Sequence, residues 1–186
     1  MTLREKYGEW GIILGATEGV GKAFCERLAK EGMNVVMVGR REEKLKELGE
    51  ELKNTYEIDY KVVKADFSLP DATDKIFAAT ENLDMGFMAY VACLHSFGKI
   101  QDTPWEKHEA MINVNVVTFM KCFYHYMKIF AAQDRGAVIN VSSMTGISSS
   151  PWNGQYGAGK AFILKMTEAV ACETEKTNVD VEVITL

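Results

Sequence analysis

The sequence predicts an α/β protein: a doubly wound parallel sheet with helices on both faces, three layers in all, ending at about its sixth strand. Three observations predict it. Short apolar runs alternate with segments of helical period from one end of the chain to the other. The resulting order, βαβαβαβαβαβ, indicates parallel strands joined by helical crossovers. No linker or low-complexity segment interrupts the alternation.

Residues 10–14 are the first apolar run, stopping at Gly15. Val20, Ala23, Phe24 and Leu28 then recur at helical spacing, with Gly32 where a helix C-cap falls. Residues 34–38 form the second run and stop at Gly39; Leu45, Leu48 and Leu52 mark the next helix, with Glu42 and Glu43 in its first turn, where the helix dipole favours acids. Residues 60–65 are a third strand, followed by Asp66 and a short helix over 71–80; residues 85–92 are a fourth strand. Thr103-Pro104-Trp105-Glu106 predicts a helix start, with Thr103 as N-cap, Pro104 in the first helical position and Glu106 closing a capping box. That helix is expected to run to about Asp134, and its apolar stretch from Ile112 to Phe130 predicts burial on more than one side. Residues 137–141 are a fifth strand, 142–153 a Ser/Gly/Pro-rich loop, 155–177 a helix and 179–186 a sixth strand.

Composition narrows the functional classes. A chain of 186 residues makes one domain with a sizeable core. A net charge of −5 argues against nucleic acid as the partner, which requires a basic face. Cys25, Cys93, Cys122 and Cys172 are irregularly spaced, with no metal-ligand pattern, so reduced and mostly buried thiols in a cytoplasmic protein are expected. No signal peptide opens the chain, and no apolar run reaches the ~20 residues that span a bilayer.

Gly15-Ala16-Thr17-Glu18-Gly19-Val20-Gly21 joins the first strand to the first helix. Glycines there let the chain turn sharply, let a pyrophosphate approach the backbone and let the helix pack tightly on the sheet. The free N–H groups of the helix start attract that anion. The G-x-x-x-G-x-G spacing is similar to the T-G-x-x-x-G-x-G loop of the short-chain dehydrogenase/reductase family, with Leu14 in place of the leading Thr. The resemblance runs from Gly11 to the end of the chain. It implies a single NAD(P)-binding Rossmann domain over 1–186, truncated at its C-terminal end relative to the family pattern.

The residue closing the second strand selects the nucleotide: an acid binds a ribose 2′-hydroxyl, whereas an arginine accommodates a 2′-phosphate. Gly39 is followed by Arg40 and Arg41, so NADP(H) is preferred and NAD(H) stays open as the second choice. Glu18 counts mildly against a 2′-phosphate nearby. Asp66, with Phe67 after it, stands where the family bonds the adenine amino group. The resemblance also implies cofactor contacts at Ala92 and Cys93, within Tyr90-Val91-Ala92-Cys93, which stands where the family has Asn-Asn-Ala-Gly.

The family's Tyr-x-x-x-Lys occurs three times, as Tyr60/Lys64, Tyr124/Lys128 and Tyr156/Lys160. The first pair lies on a predicted strand, where four residues span ~13 Å, and the second deep within a helix. Tyr156 and Lys160 open a helix and share its face. Ser143 precedes Tyr156 by the family spacing, and Asn115 matches the family's helix asparagine. The resemblance implies Asn115, Ser143, Tyr156 and Lys160 as the catalytic set, with Ser143 and Tyr156 on the substrate and Tyr156 and Lys160 also on the cofactor. A tyrosine pKa of ~10 has to fall for work near neutrality, and Lys160 is the residue placed to lower it. Leu94, His95, Phe97, Met144, Ile147 and Trp152 sit in loops expected near the pocket and point to an apolar carbonyl or alcohol substrate.

The expected activity is NADP(H)-dependent interconversion of a carbonyl and a secondary alcohol, with no metal, nucleic-acid or membrane partner, by a homodimer or homotetramer paired through the apolar fourth helix. Two alternatives stand beside it. One is a non-catalytic dinucleotide-binding or redox-sensing protein of the same fold. The other is a nucleotide-sugar epimerase or dehydratase, whose preferred G-x-x-G-x-x-G the glycines do not match.

Overall fold

The computed structural model describes residues 1–148 and 150–186; Ser149, within the predicted loop, lies outside the described residues. Six parallel strands form one sheet: β1 (Trp10–Leu14), β2 (Asn34–Gly39), β3 (Tyr60–Lys64), β4 (Met85–Tyr90), β5 (Gly136–Ser142) and β6 (Val179–Thr185). Their spatial order is β3-β2-β1-β4-β5-β6. The helices are α1 (Leu3–Tyr7), α2 (Gly19–Lys30), α3 (Glu42–Tyr56), α4 (Ala72–Thr80), α5 (Trp105–Ile112), α6 (Phe119–Gln133) and α7 (Gly154–Glu173).

β2 and β4 are buried along their whole length, because helices cover both of their faces; Asn34, the polar residue that opens β2, accepts from the Asp59 N–H at 2.8 Å. Successive residues of β1 serve opposite cores. Ile12 and Leu14 pack with Phe119, Phe123, Tyr126 and Ile163 of the α6/α7 layer. Ile13 packs with Cys25, Leu28, Leu45 and Leu48 of the α2/α3 layer. The edge strands β3 and β6 keep partly exposed positions. The strands are added outward in one direction from β1 to β3 and in the other from β4 to β6, so the winding reverses between β1 and β4, the switch point where parallel sheets of this kind form a crevice.

The structure corrects the reading in three places. The helix predicted from 103 to 134 is broken: α5 passes through a π-helical stretch, Asn113–Thr118, into α6. Thr103 does not cap α5, because its hydroxyl donates to the Lys99 carbonyl at 3.2 Å and Pro104 occupies the N-cap position. The N-terminal segment holds the unpredicted α1, although Thr2-Leu3-Arg4-Glu5 carries a capping box in plain sight: Glu5 N–H donates to the Thr2 hydroxyl and Thr2 N–H to the Glu5 carboxylate. On α6, Phe119, Cys122, Phe123, Tyr126 and Phe130 are buried while Tyr124 faces outward, so one side of the helix lies outside the core.

Candidate active site

The crevice beside β1 is a cavity of about 490 Å³ lined by Gly15, Thr17, Glu18, Arg40, Arg41, Asp66, Phe67, Ala92 and Cys93 among others. Nine residues expected to bind a nucleotide therefore meet in one place, while Gly19, Val20 and Gly21 form the first turn of α2 just beyond its wall. The glycines are dictated by contact. Gly15 has φ +102°, and a Cβ there would lie 2.6 Å from the Ala92 nitrogen; at Gly21 it would lie 2.0 Å from the Gly15 carbonyl oxygen. These two closures bring α2, β1 and the end of β4 together, and the Val91 and Ala92 N–H groups complete the join by donating to the Leu14 carbonyl. Glu18 precedes α2 without capping it by a side-chain bond, so the helix start keeps N–H groups for an anion.

Charge is arranged around this opening. The Glu18 carboxylate pairs with Arg41 at 2.8 Å. The hydrogen bond and charge of Arg41 hold the Glu18 carboxyl below its usual pKa. Arg40 is exposed and forms no salt bridge among the described residues. Asp66 accepts from the Ser68 N–H at 3.0 Å and hydroxyl at 2.7 Å. Partial burial works to raise its pKa, but the Ser68 bonds and the Arg40 charge outweigh that and leave it lowered. Phe67 turns its ring inward against Tyr90, with centroids 6.1 Å apart. Polar groups thus gather at the β2 and β3 ends, where a 2′-phosphate and an adenine would lie, and small residues at the pyrophosphate position. The residues present fit a dinucleotide. Cys93, expected among buried thiols, is exposed at the cleft wall, as is Cys172 elsewhere.

The second group lies at the ends of β4 and β5. Tyr156 and Lys160 stand on one face of α7, with the Lys160 Nζ 5.8 Å from the tyrosine ring centre. Lys160 is 1% exposed and donates to the Val141 carbonyl at 2.7 Å. The Ser142 hydroxyl donates to the Lys160 carbonyl at 2.8 Å, fixing the helix to the end of β5. Ser143 follows immediately and accepts from the Thr145 N–H and hydroxyl at 3.3 and 3.1 Å. Asn115 is buried in the π-helical stretch, where its side chain accepts from Leu94 N–H at 3.0 Å and donates to the Leu94 carbonyl at 2.6 Å. Its Cβ lies where Gly159 leaves room on α7. The other Tyr-x-x-x-Lys pairs are elsewhere: Tyr60 bonds Glu50, and Tyr124 lies on the outer side of α6 under Lys128.

The electrostatics differ from expectation. Burial raises the Tyr156 pKa and Cys93 adds to the rise, while hydrogen bonding with Ser143 opposes it. Burial also lowers the Lys160 pKa, with Cys93 opposing. The expected depression of Tyr156 by Lys160 is absent because the ammonium turns to the Val141 carbonyl instead of the phenol.

A larger, mostly apolar cavity of about 1000 Å³ adjoins this group. It is walled by Ile100, Trp105, His108, Met111, Trp152 and Gln155 among others, and reaches α7 at Gly154 and Gln155 without including Tyr156. Of the residues expected near a substrate, Trp152 lines this cavity and Leu94 the nucleotide cleft. His95 sets its ring edge-on to Tyr156, with centroids 5.8 Å apart. Phe97, Met144 and Ile147 are exposed. Ile100, Trp105, His108 and Gln155 carry no motif, and sequence reasoning missed them; their only signal is apolar or aromatic character beside a helix start.

A six-stranded parallel sheet with a glycine turn at its switch point and a serine, tyrosine and lysine at the neighbouring strand ends defines a nucleotide-dependent oxidoreductase of Rossmann architecture. The family model described as short chain dehydrogenase matches residues 9–186, and the chain belongs to that family. It is 83% identical over its whole length to a 7beta-hydroxysteroid dehydrogenase of Collinsella aerofaciens, covering 71% of that protein. It is 46% identical over 97% of its length to a 7beta-hydroxysteroid dehydrogenase of Clostridium sardiniense, covering 69% of it. A solved structure from work on 7beta-hydroxysteroid dehydrogenase stereoselectivity superposes with a TM-score of 0.99 at 83% identity, over all of this chain and 71% of that one. A short-chain dehydrogenase from Sphingobium yanoikuyae in complex with NADPH shares the fold with a TM-score of 0.90 at 23% identity, over 95% of this chain and 70% of that one. The chain is accordingly an oxidoreductase acting on CH–OH groups. Among the described residues no helix is long and apolar enough to cross a membrane, and no cluster of His, Cys, Asp and Glu is arranged to hold a metal ion.

Proposed function

We propose that this chain is an NADP(H)-dependent 7β-hydroxysteroid dehydrogenase, interconverting the 7β-hydroxyl and the 7-ketone of a steroid. The observation that carries the reading is 83% identity across the whole chain to a protein of that name. The geometry supports it. Arg40 faces the nucleotide cleft without a carboxylate partner among the described residues, and an apolar cavity large enough for a fused-ring substrate adjoins Tyr156.

NADPH supplies the hydride when bound. The start of α2 binds its pyrophosphate, Asp66 the adenine amino group, and Arg40 with Arg41 the 2′-phosphate. In the oxidative direction, with NADP⁺ as the hydride acceptor, Tyr156 would take the hydroxyl proton; in reduction, with NADPH as the hydride donor, Tyr156 would give that proton to the carbonyl oxygen. Ser143 donates a hydrogen bond to that oxygen, where charge develops. Lys160 holds the nicotinamide ribose, and Asn115 fixes the Leu94 carbonyl at the edge of a proton path. The domain spans 1–186, works in the cytoplasm, and pairs as a homodimer or homotetramer through the outward side of α6, where Tyr124 is exposed. A single monomer peak in size-exclusion chromatography overturns the pairing.

Fluorescence titration with NADPH and NADH, on the wild type and Arg40→Ala, tests the nucleotide. NADPH is expected to bind more tightly, and the variant to lose about tenfold for NADPH alone, equivalent to about 1.4 kcal/mol. Turnover of 7β- and 7α-hydroxysteroids, with Tyr156→Phe as control, tests the chemistry. Oxidation of the 7β epimer that falls about 10³-fold in the variant is expected. A tighter NADH, or Tyr156→Phe working at the wild-type rate, overturns the reading.

A further inference from the structure

Helix α7 carries Tyr156 in its first turn, yet that turn lacks an ordinary cap. Asn153 occupies the cap position without a side-chain hydrogen bond to the helix, and its Oδ1 is buried without a partner among the described residues. The residue before it, Trp152, is held at φ +61°, a conformation costly for an aromatic residue, which persists only where its surroundings enforce it. The enforcing contacts come from a segment remote in sequence. Gly98 N–H donates to the Trp152 carbonyl at 2.9 Å. Gln155, immediately before Tyr156, is gripped at both ends of its amide by His108 of α5. The Gln155 Nε2 donates to the His108 carbonyl at 2.7 Å, and its Oε1 meets the His108 Nδ1. The Nε2 of the same imidazole stands 3.1 Å from the Ile100 carbonyl oxygen, which sets the ring against the loop before α5.

From these contacts we infer that His108 is a positioning residue: through Gln155 it sets the start of α7, and with it the aim of the Tyr156 hydroxyl. His108 and Gln155 also line the apolar cavity, so a substrate filling that cavity leans on the clamp that orients the proton donor. Misplacing a reacting group by about 1 Å costs on the order of 10² in rate, so a clamp on the neighbouring residue has leverage without touching substrate. The clamp lies apart from the nucleotide cleft, and none of its members lines that cleft. The link to the cavity's occupant rests on the hydroxysteroid reading; the hold on Tyr156 does not.

The test uses His108→Ala, Gln155→Ala and the double variant of the full chain. Amide hydrogen exchange, which needs no substrate, is expected to lose about tenfold protection over 153–160 in each variant, with 15–21 and 39–41 unchanged. Steady-state oxidation of a 7β-hydroxysteroid is expected to lose about tenfold in kcat, with the NADPH dissociation constant within twofold and the double variant no slower than the slower single one. Unchanged exchange over 153–160, a loss confined to KM, or losses that multiply in the double variant overturns the clamp. Should His108→Ala lose NADPH binding and with it the fold, Gln155→Ala, which keeps the imidazole, decides by the same criteria. A wild type that exchanges as expected but oxidises no hydroxysteroid overturns the substrate reading and leaves the clamp standing on the exchange result.

Discussion

The nucleotide half of the molecule and the reaction half are built differently. The nucleotide cleft is made chiefly of short stretches at the ends of β1, β2, β3 and β4, each within a few residues of its strand, with Val114 of the π-helical stretch as its one distant member. Its charged side chains meet solvent, and its ion pair, Glu18 with Arg41, is exposed. The reaction half is made of long-range ties between buried groups. Asn115 grips Leu94 across 21 residues, Lys160 reaches Val141 across 19, Tyr90 reaches Val114 across 24, and Gln155 reaches His108 across 47. A site that recognises a phosphate can rely on exposed charge, with modest energies screened by salt. A site that moves a proton needs groups withdrawn from water, because desolvation shifts a pKa by far more than an exposed neighbour does. Substitutions in the reaction half should therefore cost far more than substitutions at the nucleotide rim.

Lys160 sharpens the contrast most. It is almost wholly buried, makes no salt bridge among the described residues, and its charged form is disfavoured by that burial. Lys160→Met is expected to reduce kcat by at least about 100-fold. It should nevertheless raise folding stability by about 1–2 kcal/mol, since an apolar side chain of similar length avoids the cost of a buried charge. The sign with pH follows. The folded pKa of Lys160 lies below the ordinary lysine value, so below that folded value both states hold the proton and the cost is present in full. Between the folded value and the unfolded one the unfolded chain binds more protons, and stability rises with pH. Denaturant melts from about pH 7 to about pH 10 should show the stability advantage of Lys160→Met shrinking as pH rises. An advantage independent of pH means that Lys160 is not carrying a buried charge.

Tyr90 is the next test. It stands where the family pattern has asparagine, is fully buried, and donates to the Val114 carbonyl at 2.6 Å within the π-helical stretch that presents Asn115. Tyr90→Phe keeps the ring against Phe67 and Phe119 and removes only the hydroxyl. It leaves a buried carbonyl short of a partner, for an expected loss of about 1–3 kcal/mol in chemical denaturation. Turnover should fall more than NADPH affinity, because the disturbance adjoins Asn115 and not the arginines. Unaltered stability would show that the Val114 carbonyl finds another donor.

The same division explains what could be read from the sequence. The six strands and the glycine turn were legible because period, apolar runs and turn residues are local properties. Arg40 and Asp66 were legible because they end strands at one sheet edge. Tyr156, Lys160, Ser143 and Asn115 were found through family spacing and are brought to the same end of the sheet. The π-helical stretch was not legible: its sequence, Asn113-Val114-Asn115-Val116-Val117-Thr118, has an unbroken helical pattern, and the extra residue per turn answers to the Tyr90 hydroxyl and to Leu94, which lie on another element. The pKa directions at Tyr156 and Lys160 were also hidden, since they depend on burial and on where an ammonium turns. The Thr103 cap failed for the converse reason: a local motif was overruled by its bond to Lys99.

The smallest effect is expected at Glu18, where the nucleotide half can be adjusted without touching the reaction half. Its carboxylate occupies Arg41 and places a negative charge beside the opening that Arg40 faces. Glu18→Gln removes that charge and frees the guanidinium, so NADPH, with its 2′-phosphate, should bind about two- to fivefold more tightly, a small effect as befits an exposed, solvent-screened pair. NADH, lacking the phosphate, should be unaffected, and the gain should fade as added salt shortens the screening length. Because Arg41 holds the Glu18 carboxyl below its usual pKa, the charge persists through the neutral range, so mild acidification of the wild type will not reproduce the variant. Weaker NADPH binding in Glu18→Gln would mean that the carboxylate steadies Arg41 for the phosphate, and the rim would then share the dependence on held geometry that marks the reaction half.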